Sequence, residues 1–259
     1  MIGDYYRYPV GRSYSDLQKV SLHRPDKAGT TWKGIAHAKL VAAFLDYVAQ
    51  KDYEIRGLRY YLSRNDTDIA FSCNIIEPEK RTVPFFIEGK RFTMHPAFGF
   101  IASNSRRHRL TFYSGWSDPA GRAAFVGAKK VGPRYTTHAE GKEELQAALE
   151  RWDDMMSDSL EIMNSLRTMR LSNRKIDFIL IEAANERLSP WGRMARVLQK
   201  IQSYEGIITG WDLVMEFSKT VIMNPPIKQM NQLLGFAELI LSEKCRIKFT
   251  RRPKIDDIG

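Results

Sequence analysis

The stretch His95–Trp116, HPAFGFIASNSRRHRLTFYSGW, reads as two strands, Ala97–Ser103 and Arg109–Gly115, joined by a short polar turn. The turn and its exit carry Arg106, Arg107, His108 and Arg109, and the flanking strands hold Phe98, Phe100, Phe112, Tyr113 and Trp116. Cations beside aromatic rings are the composition of a surface that holds a nucleic-acid strand, with phosphates on the cations and bases on the rings. A second interpretation stands beside it. Alternate phenylalanines in a strand commonly build a core, and an arginine-rich turn is commonly just solvated.

On either side of this stretch the pattern is consistent. From Trp32, the residues Ile35, Leu40, Val41, Phe44, Leu45 and Val48 make a helical apolar stripe, with His37 and Lys39 opening the exposed face. Tyr53–Ser63 and Thr67–Ile76 alternate as a β-hairpin, with Gly57 placed to form a bulge. Pro84–Ile87 and Ala123–Val131 supply two further strands. Beyond Thr137 the regime changes. Leu145, Leu149, Trp152, Met156, Leu160, Met163 and Leu166 predict one long helix reaching Arg170, about seven to nine turns. Ser172 caps a helix to Arg187. Ser189 and Pro190 start one to Tyr204, Thr209 caps one through Ile222, and Ile227–Ser242 follows the Asn224-Pro225-Pro226 break.

Strands grouped together and then helices grouped together predict an α+β fold rather than alternating α/β. Its antiparallel hairpins are packed by an N-terminal helix and one long helix, and a helical C-terminal part follows. The chain divides into an irregular arm (1–31), a basic strand-rich part (32–138), a helical part (139–243) and a basic tail (244–259), expected to behave as one cooperative domain. In the arm, Tyr5, Tyr6, Tyr8 and Tyr14 are expected to pin it to the core, with a ligand-stacking arm alongside Arg7 and Arg12 as the alternative.

Charge is distributed unevenly. Of a net +10, residues 1–138 hold 22 Lys and Arg against 12 Asp and Glu, while residues 139–259 hold 18 against 18. A one-sided cationic field captures polyanions or acidic surfaces. No run reaches the roughly 18 apolar residues of a membrane helix, and the N-terminus has no apolar core of a secretory signal. The expected setting is cytoplasmic, with Cys73 and Cys245 as free thiols.

Catalytic signatures are missing. The five histidines are scattered and show no zinc-ligand spacing. Gly115–Gly121 has the wrong length for a phosphate loop and lacks its Lys-Ser/Thr pair. Asp153 and Asp154 point about 100° apart on a helix and suit a solvated face better than a metal pair. No cofactor and no metal site is expected, and the enzyme question leans toward no. Carboxylates meeting only in space, as in a metal-dependent nuclease, are the weakest alternative.

The segments HAKLVAAFLDYVAQKDYEI, GFIASNSRRHRLTFYSG and GWDLVMEFSKTVIMNPPIKQMNQLLGFAELI resemble a phage and plasmid family known as domain of unknown function 932. In that family the middle segment carries a Ser-His-Asp-like turn, where this chain has Ser103, Asn104 and Ser105 followed by arginines. More distantly, the order of elements is similar to phage single-strand annealing proteins, which wrap DNA in a basic groove of an oligomeric ring or filament. The resemblance implies a phage-type protein of a bacterial host, a homo-oligomer, with single-stranded DNA favoured over RNA. It brings no established activity.

The expected phosphate contacts are Arg106, Arg107 and Arg109, supported by Arg56, Arg59, Lys129 and Lys130, with Tyr113 or Trp116 as the stacking ring. The alternative partner is an acidic host protein, such as a defence enzyme bound and inhibited through the same basic face.

Overall fold

A computed structural model of the chain describes residues 14–20, 36–62, 68–76, 83–87, 90–104, 110–118, 123–130, 146–147, 149–221, 224 and 226–242. Six strands follow one another in a block: β1 (Glu54–Leu62), β2 (Asp68–Ile76), β3 (Val83–Ile87), β4 (Lys90–Ser103), β5 (Thr111–Ser117) and β6 (Ala123–Lys130). Every pairing is antiparallel, in the order β1-β2-β4-β5-β6, with β3 on the first part of β4. Seven helices are described. These are α1 (Tyr14–Gln18) and α2 (His37–Gln50) before the strands, then α3 (Trp152–Thr168), α4 (Asn173–Asn185), α5 (Trp191–Gln202), α6 (Gly210–Val221) and α7 (Pro226–Leu241). The architecture is α+β with a helical C-terminal part.

Strand β4 is 14 residues long and begins well before Ala97. Pro96 makes the sequence look as though the strand starts after it, because proline cannot donate to a ladder. It sits at a joint, since β3 pairs as far as Met94 and β2 pairs from Ala97 onward. On that side Pro96 itself has no strand partner, and on the other it stands opposite Trp116 of β5.

Register assigns residues to two faces. Phe71, Phe98, Phe100 and Phe112 share one of them, where Phe44 of α2 stacks on Phe98 at 4.5 Å and Phe71 on Phe100 at 4.9 Å. Trp152 of α3 meets Phe98 edge-on at 5.3 Å. Helix α3 runs alongside β5 here. Ser114 Oγ donates to the Met155 carbonyl at 3.3 Å, and the Trp116 indole N–H donates to that of Ser159 at 3.4 Å. Two strand residues rise about 6.6 Å and four helical residues about 6.0 Å, so successive rungs of the two elements meet.

The opposite face is covered by α7. Tyr113 Oη donates to Asn231 Oδ1 at 2.7 Å, and a Cβ placed on Gly99 would lie 2.6 Å from Met230 Cε. All seven residues of β5 are buried as a result. One apolar core joins the strand-rich and helical parts.

Among the C-terminal helices α6 is central, with nine of its twelve residues buried. Its start is fixed reciprocally: Asp212 Oδ2 accepts from Thr209 N–H at 2.8 Å, and Thr209 Oγ1 accepts from Asp212 N–H at 3.3 Å. Ser172 caps α4 by accepting from Lys175 N–H. Buried Glu216 is held by the Tyr204 hydroxyl and the Lys219 ammonium. Arg193 donates to Asn224 Oδ1, whose amide donates to Gln232 Oε1, and Gln232 in turn donates to the Leu188 carbonyl. That chain ties α5 and α7 to the turn after α4.

Some expectations are corrected. The single long helix is interrupted, because Arg151 turns (φ −91°, ψ 14°) between helical residues 146–147 and 149–150 and the start of α3. Ser189 does not cap α5. The cap is Pro190, and Ser189 lies buried with its hydroxyl unpartnered among the described residues. His37, expected on an exposed face, is 3% exposed. The irregular arm contains α1, whose Leu17 is buried and whose Tyr14 hydroxyl donates to the Ala38 carbonyl at 3.3 Å. Tyr5, Tyr6 and Tyr8 lie outside the described residues.

The pairing of β5 with β6 shifts register between Ser114 and Gly115, and a Cβ on Gly115 would lie 2.1 Å from the Ala124 carbonyl oxygen. Backbone cannot step aside as a side chain can. Gly115→Ala is therefore expected to lower unfolding stability by about 3 kcal/mol or more. Gly192→Ala, where nothing lies within 4 Å, should change it by at most about 1 kcal/mol, in the stabilising direction. Urea midpoints of the two variants measure the contrast.

Candidate nucleic-acid interface

Those of the residues expected to contact a nucleic acid that are described fall on the buried strand β5, at the end of β6 and on the exposed strand β1. Tyr113 and Trp116 are the clearest correction, being 3% and 1% exposed. Both belong to β5, and both spend their polar atoms on helices, Tyr113 on Asn231 and Trp116 on Ser159. Burial pushes the Tyr113 phenol up to about 12. A ring enclosed in this way has no face for a base, so neither residue is a stacking platform. The same holds for Phe98, Phe100 and Phe112, each at 1% or less.

Arg106, Arg107 and Arg109 lie outside the described residues, in the connection from β4 to β5. Lys129 and Lys130 are the last two positions of β6, opposite Phe112 and Thr111. They stand at the end of the sheet where β4 passes into β5.

Arg56 and Arg59 are the pair that the fold does bring together. Three residues apart, they would point to opposite faces of a regular strand. Gly57 prevents this. It adopts φ 62°, and the ladder passes from Arg56 opposite Asn74 to Arg59 opposite Ser72. Gly57 and Leu58 thus stand against Cys73 alone, a bulge opened by a left-handed glycine. Arg56 and Arg59 become neighbours on one face, about 6.6 Å apart along the sheet by the rise of the two opposed residues. Both are exposed, on a strand whose described partner is β2 alone.

Their electrostatic situations differ. The Arg56 guanidinium is forked onto Glu54, with Nε to Oε1 at 2.7 Å and Nη2 to Oε2 at 3.1 Å. That pair holds the Glu54 carboxyl below its ordinary value and raises Arg56 above its own. Arg59 makes no ion pair with any described residue. On the same face, His95 sits half-buried in β4 with Nδ1 buried and unpartnered among the described residues. Burial first, and then the positive charge of Arg56, lowers its pKa.

Glu54 and His95 were not among the expected site residues. Glu54 was legible, since positions i and i+2 of a strand share a face. His95 was not, because its relation to Arg56 needs the register of three strands. No group of three or more His, Cys, Asp or Glu able to hold a metal occurs among the described residues, and Asp153 and Asp154 are both exposed. Burial pushes the Cys73 thiol up, away from a reactive thiolate. No helix among the described residues is long and apolar enough to cross a membrane.

A lowered His95 pKa means that the unfolded chain takes up this proton more readily than the folded one. Stability contributed by the neutral imidazole is therefore lost as pH falls below about 6.5. Urea midpoints measured from pH 7.5 down to 5.5 should decline, and His95→Gln should decline less steeply.

Comparison with protein-family models, with curated proteins and with solved structures returned no match to this chain.

Proposed function

We propose that the chain is a phage-type, single-stranded nucleic-acid-binding protein that holds its strand by the phosphate backbone and serves strand protection or annealing. The observation that carries this reading is the bulge-aligned pair Arg56 and Arg59, exposed together on the outermost strand of a sheet. The cationic excess of residues 1–138 and the run Arg106, Arg107 and Arg109 support it. Burial of the β4 and β5 rings reshapes it. Without those rings, binding rests on charge, is indifferent to base sequence and is strongly dependent on salt. DNA is favoured over RNA by the phage resemblance, and assembly into a homo-oligomer would line such sites along one strand.

The test is fluorescence anisotropy of a labelled oligothymidine at several salt concentrations, beside a duplex of equal length. Affinity for the single strand should fall with a log–log slope of about −0.7 for each phosphate neutralised. Arg59→Glu should weaken binding several-fold and flatten that slope by about 0.7 or more. A complex that is insensitive to salt and to Arg59 would overturn the reading. An acidic protein partner for the same cations would then take its place.

A further inference from the structure

Resting on that reading, we infer that Glu54 is a built-in competitor for the phosphate, occupying the Arg56 guanidinium that the backbone would otherwise use. Three observations meet on β1. The two cations are set side by side by the Gly57 bulge, so one extended strand can reach both. Their availability is unequal, because Arg56 gives two N–H groups to the Glu54 carboxylate at 2.7 and 3.1 Å while Arg59 gives none to any described group. The bidentate fork that holds Glu54 is also the geometry with which a guanidinium grips a phosphate.

The two anions thus compete for one donor set. The competition is winnable by either. Arg56 and Glu54 have side chains 63% and 57% exposed, and an ion pair in that setting is weak enough for a second anion to displace. Glu54 consequently lowers affinity without abolishing it, and Arg59 makes the first contact. A single strand can be captured at Arg59, engage Arg56 by displacing Glu54, and be released again as the carboxylate returns. For a protein that must pass strands between partners, a self-occupied cation favours exchange over permanent capture.

A mutant cycle in the oligothymidine titration tests this with the full chain, using wild type, Glu54→Gln, Arg56→Gln, the double variant and Arg59→Glu. Glu54→Gln should tighten binding about two- to fivefold, the fold equivalent of an exposed ion pair. It should also steepen the salt slope by up to about 0.7, as one more phosphate is engaged. Neither change should occur in the Arg56→Gln background. Equal tightening with and without Arg56 would make Glu54 an ordinary neighbouring charge and overturn the inference, as would no tightening at all. Either result leaves the binding reading intact if wild type binds and Arg59→Glu binds several-fold more weakly. Failure of both wild type and Glu54→Gln to bind at low salt would remove the reading and the inference together. Urea midpoints for each variant confirm that these surface changes leave the fold in place.

Discussion

Strand β5 has a helix against each of its faces, and most of the molecule follows from meeting that condition. A strand buried on both sides must satisfy its polar side chains from the covering layers. Ser114 and Trp116 do so on backbone carbonyls of α3, and Tyr113 does so on Asn231 of α7. The partners lie 41, 43 and 118 residues further along the chain. Sheet and helices therefore complete one another, and neither the strand-rich part nor the helical part has a closed core alone.

That condition also settles where chemistry can sit. With α2 and α3 over one face and α7 over the other, the rings of β4 and β5 are consumed by packing. What remains for a partner lies at the margins: β1, and the end of the sheet where β4 turns into β5. Among the described residues the rings of β4 and β5 are turned inward, while Arg56 and Arg59 stand exposed on β1.

The fold was largely legible because its signals are local. Alternation in Tyr53–Ile76, the caps at Ser172 and Thr209, and the Asn224-Pro225-Pro226 break each act within a few residues, and Gly57 marks its own bulge. The site was less legible because exposure is not local. Nothing in TFYSGWS reveals that a helix beginning at Trp152 will cover one of its faces and a helix beginning at Pro226 the other, so Tyr113 and Trp116 read as surface rings. Pro96 misled by its chemistry, since a residue that breaks most strands here sits where β4 passes from one partner, β3, to the next, β2, while staying opposite Trp116 of β5. Ser189 misled by position, standing one residue too early to cap α5.

The alignment of α3 with β5 acts like a vernier. Its two scales advance by about 6.0 and 6.6 Å per division, so they drift apart by roughly 0.6 Å at each rung. Two rungs, at Ser114 and Trp116, stay within hydrogen-bonding tolerance, and several more in succession would not. A longer β5 running beside this helix would leave buried hydroxyls facing the gaps between carbonyls. The shortness of the most deeply enclosed strand is thus matched to the distance over which two different molecular rulers can be read against each other.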